Sequence, residues 1–190
     1  MPDIAQPAQE NVESFIHDVT YEMLKVKTGD IQFTKGEVNK VELPYREYLA
    51  AILLAGSEFK LMYMVHFWLE DAKFLVSKSL EKSASDVEYW RAIDFFKEYC
   101  NVIAGKTKKA FKAQGIHLNQ SLPIGIGGFN LALFDDKGPK EKKLYWSQNT
   151  EDIEIDFSAR YSILDPSVTE KLVKLPKYTD LKDETAIEFF

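Results

Sequence analysis

Asp94-Phe-Phe-Lys-Glu98-Tyr-Cys-Asn101-Val-Ile-Ala-Gly105 is the stretch whose reading decides the fold. It reads as the middle of a long helix, Trp90 to about Gln114, stopped by Gly115. At 3.6 residues per turn one face collects Ile93, Phe96, Cys100, Ile103 and Phe111, with Thr107 in the same stripe. The opposite face collects Asp94, Glu98, Asn101, Gly105 and Lys108, all within an arc of about 80°. One face is built to pack and the other is built to meet something.

The second face is unusual in its chemistry. Glu98 and Asn101, one turn apart, present a carboxylate acceptor and a carboxamide that both donates and accepts. Gly105, one turn further on, removes the side chain that would hold a partner's backbone away. A glycine inside a helix costs about 1 kcal/mol relative to alanine, so it needs a reason. Two readings stand on these residues alone. Gly105 serves close packing within the chain and the face is merely solvated, or the face receives a partner.

The spacing Asp94-x-x-x-Glu98-x-x-Asn101, followed by Val-Ile-Ala-Gly105, resembles the helix signature of the CheC, CheX and FliY phosphatases of bacterial chemotaxis. In that family the helix carries Asp or Ser, then Glu, then Asn. The segment Gln120-Ser-Leu-Pro123-Ile-Gly-Ile-Gly-Gly128 resembles the single-site, CheX-like branch, where a Ser-Pro strand start follows the helix. Leu122 interrupts that Ser-Pro junction, and Tyr99 and Cys100 stand where the family commonly has Leu and a small residue. The likeness spans roughly residues 31–163 and is most specific over residues 94–128.

The resemblance implies a hydrolase acting on the aspartyl phosphate of a CheY-like receiver domain in two-component signalling. Asn101 would orient the attacking water, as an amide does in GTPases, and Glu98 would pair with a cationic group of the receiver. Asp94, Gly105 and Lys108 would belong to the partner-binding face, with Asp94 peripheral. The chain itself would bind no metal or cofactor, since the required Mg²⁺ belongs to the receiver. CheX-like relatives also imply a homodimer formed by joining sheets.

The bounds agree with such a protein. The 190 residues suggest one domain, and 45% hydrophobic with 28% charged residues is ordinary for a chain that buries a core. A net charge of −6 argues against coating nucleic acid. The basic run Lys106 to Lys112 either attracts an acidic partner or complements the end of its helix. A single cysteine excludes an intrachain disulfide. The first residues lack a signal-peptide pattern and no stretch approaches the ~20 apolar residues of a membrane span, so the expected location is the cytoplasm.

In chain order, residues 1–10 read as a flexible leader. An amphipathic helix from about Asn11 buries Val12, Phe15, Ile16, Val19, Met23 and Leu24 and stops at Gly29. Strand-like runs follow at Ile31 to Thr34 and Val38 to Leu43, then a hairpin, Tyr48 to Leu54 and Lys60 to Phe67. A short helix, Asp71 to about Leu80, precedes a polar linker in which Ser83, Ser85 or Asp86 offers a cap for the central helix. Beyond Gly115 the strands are Leu122 to Ile126, Phe129 to Phe134, Lys143 to Gln148 and Ile153 to Ile163. The last alternates Ile153, Ile155, Phe157, Ala159 and Tyr161, as a half-buried antiparallel strand does.

The expected fold is α+β: an antiparallel sheet of about six strands covered by the first and central helices. The domain is expected over residues 11–164, with residues 165–190 as an extension on which Leu172, Val173 and Leu175 can dock. Gly125-Ile-Gly127-Gly128 lacks the spacing of a dinucleotide loop and reads as a bend. His17, His66 and His117 lie far apart and form no evident nucleophile constellation. Two competing readings remain: a receiver-binding adaptor without hydrolysis, and an interaction domain whose contact is the C-terminal tail.

Overall fold

The computed structural model describes residues 5–29, 31–38, 46–128 and 141–180. Its elements in order are α1 (Ala5–Thr28), β1 (Thr34–Lys35), β2 (Tyr48–Ala55), β3 (Phe59–Phe67), α2 (Leu69–Leu80), α3 (Tyr89–Ala113), β4 (Asn119–Gln120), β5 (Ile124–Gly127), β6 (Lys142–Asn149), β7 (Glu154–Ile163) and α4 (Thr169–Val173). Among the described residues the strands form one seven-stranded sheet in the order β1-β6-β7-β3-β2-β4, with β5 also paired to β2, and every pairing is antiparallel. This is the α+β architecture read from the sequence. The expected strands at residues 39–43 and 129–134 lie outside the described residues.

The sheet's inner face and the two long helices share one core. Ala50, Ile52 and Leu54 of β2, Leu61, Tyr63, Val65 and Phe67 of β3, and Ile155, Phe157, Ala159 and Tyr161 of β7 alternate inward, as the two-residue strand period requires. Against them α1 buries Val12, Phe15, Ile16, Val19, Met23 and Leu24, the whole predicted stripe. In α3, Phe96, Cys100, Ile103, Thr107 and Phe111 are buried, while Ile93 is half-buried at the stripe's edge. Tyr63 and Thr107 share a hydrogen bond of 2.9 Å, which lets a hydroxyl sit in the apolar face of the helix.

Helix α3 stops where the sequence says it should. Gly115 adopts φ +72, its N–H reaches the Lys112 carbonyl and the N–H of Ile116 reaches that of Phe111. That pair of bonds is a Schellman cap, and only glycine enters the left-handed region without a Cβ penalty. At the other end the expected serine or Asp86 cap is not used. Residues 84–86 form a separate 3₁₀ turn, and Glu88 begins α3 without a side-chain cap. Helix α2 takes its cap from outside: Glu47 accepts from the N–H of Leu69 at 3.2 Å.

Three expectations need correction. Helix α1 starts at Ala5 and not at Asn11, because Ala8 extends the buried stripe by a turn and Pro7 falls in the first turn, where a missing N–H costs nothing. Strand β7 is buried on both faces: Asp156, Ser158 and Arg160 point away from the core yet are nearly inaccessible, because β7 is central and its polar side chains pair with neighbours. The segment after β7, expected as an extension on which Leu172, Val173 and Leu175 can dock, is over its described part a contributor to the core itself. Val168, Leu172, Leu175 and Tyr178 are buried, Tyr178 lies edge-on to Phe15 at 5.8 Å, and Asn11 donates to the Val173 carbonyl at 2.7 Å. Val173 itself is exposed.

Candidate functional site

The outer face of α3 carries all the residues singled out in the sequence. Asp94, Glu98 and Gly105 are exposed, and Asn101 and Lys108 are half-buried. Asp94 is paired with Lys97 at 2.8 Å, so its charge is partly answered within its own helix. No heavy atom beyond the helix's own backbone lies within 4 Å of where a Gly105 Cβ would stand. Close packing within the described chain is therefore not the reason for this glycine, and the backbone there is open to an incoming surface.

Glu98 has a neighbour that sequence reasoning missed. Lys27, in the last turn of α1, lies over the ring of Phe95 at 4.9 Å. Burial lowers the pKa of its ammonium, and the Glu98 carboxylate works against that shift. The residue was visible only as a basic side chain suited to a helix end; its approach to Glu98 depends on how α1 crosses α3.

Asn101 is held by the edge of the sheet. Strands β4 and β5 are one edge strand interrupted at Ser121-Leu122-Pro123, which stand opposite only Ile52 and Leu53 of β2. This is a bulge of one extra residue, at the edge where proline's missing N–H is tolerated. The hydroxyl of Ser121 accepts from the Leu53 N–H at 3.1 Å, and the Ser121 N–H donates back to the Leu53 carbonyl at 2.9 Å. The bulge also throws Leu122 into solvent at 84% exposed.

The extra residue has a second effect. Gln120 and Gly125 are five positions apart, so an unbroken strand would aim them at opposite faces. With the bulge, Gln120 stands opposite Leu54 and Gly125 opposite Ala50, both inward-facing positions of β2, and so both face α3. A Cβ at Gly125 would fall 2.6 Å from Ile93 Cγ2, so glycine lets the helix lie close there. Gln120 uses its length instead: its Nε2 donates to Asn101 Oδ1 at 2.5 Å. The sequence read Gly125 to Gly128 as a bend and the strand as Leu122 to Ile126; the strand begins at Ile124 and Gly125 serves close approach.

Other chemistry is shut away. His66 Nε2 and Ser158 Oγ are 2.8 Å apart, and Asp156 stands across the ladder from His66, an arrangement the sequence did not reveal. It is not a nucleophile site: His66, Ser158 and Asp156 are at most 6% exposed. Asp156 is bound by Arg46 and by Ser147. Burial, with Arg160 and Arg46, lowers the His66 pKa to about 4. Cys100 is buried and its thiol pKa is pushed up by burial, which leaves it inert. Among the described residues no three His, Cys, Asp or Glu side chains group as a metal would require, and no helix is long and apolar enough to cross a membrane.

No family model matches the chain, and no curated protein matches it. Solved structures do. A CheC-like superfamily protein from Shewanella sp. PV-4 is similar at 16% identity and TM-score 0.65, covering 80% of this chain and 97% of that one. CheX from Vibrio vulnificus is similar at 14% identity and TM-score 0.63, covering 80% and 99%. CheX from Borrelia burgdorferi, in a complex with CheY, BeF₃ and Mg²⁺, is similar at 20% identity and TM-score 0.62, covering 80% and 97%. The chain has the fold of the CheC and CheX structures.

Proposed function

We propose that this chain, having the CheC and CheX fold, is a CheX-like phosphatase that hydrolyses the aspartyl phosphate of a CheY-like response regulator. The observation that carries the reading is the open face of α3. Glu98 is exposed, the Asn101 amide nitrogen has no acceptor among the described residues, and the Gly105 backbone is bare. In phosphoryl transfer the protein's task is to position water and answer developing charge, and this face supplies groups for both without a nucleophile of its own.

In this reading α3 lies across the receiver's active site. Glu98 pairs with a receiver cation, most simply a lysine beside the phosphoryl group, in a charge-assisted bond. Asn101 then enters beside the acyl phosphate and orients water, while Mg²⁺ is held by the receiver. Gly105 and Lys108 contact the partner further along the helix, and Asp94 stays at the rim. The reaction is cytoplasmic, and a homodimer joined through sheet edges is the assembly we propose. The Borrelia CheX complex with CheY supports the choice of partner.

The test is the decay of a phosphorylated receiver with Mg²⁺ present, with and without this chain. Faster release of inorganic phosphate, with no phosphate retained on this chain, is the expected result. An unchanged decay rate at saturating binding leaves the adaptor reading in its place. The tail reading loses ground because Val168, Leu172, Leu175 and Tyr178, four apolar side chains of its described part, are buried.

A further inference from the structure

We propose that Gln120 is a positioning residue that fixes which end of the Asn101 carboxamide faces the incoming phosphoryl group. The proposal rests on the phosphatase reading above. A carboxamide has two nearly isosteric ends of opposite character, an acceptor oxygen and a donor nitrogen, and a free Asn can turn either one outward. In this chain Gln120 Nε2 donates to Asn101 Oδ1, and nothing among the described residues accepts from Asn101 Nδ2. The nitrogen end is therefore turned outward, with two N–H donors available to a phosphoryl oxygen or to the lone pair of a water. The second lone pair of Oδ1 remains for a water proton.

Three features make this a built arrangement. The bulge at Ser121 to Pro123 is what lets Gln120 face α3 while Gly125, five residues on, faces it too. The bulge is locked by the reciprocal bonds between Ser121 and Leu53. The contact is also part-buried, so water competes poorly for the Asn101 oxygen. A carboxamide fixed before the partner arrives avoids reorganisation during the reaction, which is how a positioned group lowers a barrier.

The polarity of the bond gives a test that bulk and packing do not. Gln120→Glu replaces the donor with a carboxylate, which accepts from Asn101 Nδ2 and turns the oxygen outward. Gln120→Lys can only donate, and Gln120→Leu does neither. Phosphorylated-receiver decay is measured over a range of concentrations of each variant, and the side-chain amide NMR signals of Asn101 and Gln120 are recorded alongside. In Gln120→Glu the maximal rate is expected to fall about 10- to 100-fold, with half-saturation little changed and the Asn101 Nδ2 protons moved downfield. Gln120→Lys is expected to recover at least part of the rate lost in Gln120→Leu.

Equal losses in Glu, Lys and Leu variants, or a Glu variant with wild-type rate, would overturn the positioning role. A wild-type chain inactive on every receiver tried would instead sink the phosphatase reading. The NMR arm would still decide the amide's orientation, and Asn101 signals unchanged by Gln120→Glu would overturn the proposal on their own.

Discussion

The phenol of Tyr99 donates to the backbone carbonyl of Thr20 at 2.6 Å, in the interior between α3 and α1. Tyr99 stands between Glu98 and the buried Cys100, so this bond sets how the face carrying Glu98 and Asn101 is rotated over α1. Tyr99→Phe keeps the ring and loses the bond. The expected cost is about 1 kcal/mol, or a fall of about 2–4 °C in Tm for a chain of this size. Thermal unfolding followed by circular dichroism checks it, and an unchanged Tm would show that the bond contributes nothing net.

Gly105→Ala should separate stability from function. The site is helical, and an added Cβ meets no atom within 4 Å, so alanine brings its helix propensity without a clash. The variant is expected to gain about 0.5–1 kcal/mol. If a partner's backbone lies on this turn, the same methyl weakens association with the receiver. Denaturant unfolding and binding to a receiver loaded with a phosphoryl mimic are measured together. A more stable protein that binds equally well would remove Gly105 from the interface.

Acid should destabilise the fold through His66. Its folded pKa is lowered to about 4 by burial, then by Arg160 and Arg46, so the folded protein keeps the ring neutral. The unfolded chain takes up a proton near pH 6.5, so stability is full above that value and drains as pH falls from about 6.5 to about 4. His66 contributes up to about 3 kcal/mol across this window. His17, lowered to about 4 by burial and Lys35, adds a smaller effect of the same sign. The buried Asp156 carboxyl is pushed up, mainly by desolvation, and works in the opposite direction at the acid end. Tm against pH should be shallower for His66→Gln than for wild type; identical slopes would exclude the buried imidazole as the cause.

What was legible in the sequence follows from which contacts are local. The stripes of α1 and α3 and the Gly115 stop are set by neighbours three to five residues away, and the β2–β3 hairpin by a turn of adjacent residues between two strand-like runs, so the local pattern reports them directly. The site's first layer, Asp94 to Lys108, was legible for the same reason, since one helix carries it. Its support was not. Gln120 reaches Asn101 only because a bulge changes the strand's parity, and Lys27 reaches Glu98 only because of how two helices cross. The buried polar face of β7 was missed because the partner of Asp156, Arg46, is far away in sequence. The first turns of α1 are hard to read because, among the described residues, Ala8 is the one apolar side chain that extends the stripe before Val12, and a first-turn proline gives no helical signal of its own.

Asn101→Ala and Glu98→Ala should fail in different ways. If Asn101 orients water, removing its amide leaves docking largely intact, because Glu98 and the Gly105 turn remain. The loss of a positioning group then costs a factor on the order of 10² or more in maximal rate. The fold should tolerate the change, since Asn101 is half-buried on the surface of α3 and alanine is the better helix former. Glu98 carries the charged contact, so Glu98→Ala should weaken association by about 2–5 kcal/mol if the pair is desolvated, and less if it stays wet. Added salt should erode the wild-type advantage. Lys27 would lose an attraction in that variant, a small cost at a surface where substitutions usually stay within about 0.5 kcal/mol. Dephosphorylation rate against concentration of each variant, paired with binding to a mimic-loaded receiver, distinguishes the two roles. An Asn101→Ala protein with full activity would end the water-orienting role of Asn101, whereas a Glu98→Ala protein that binds normally but no longer turns over would move the chemistry to the carboxylate.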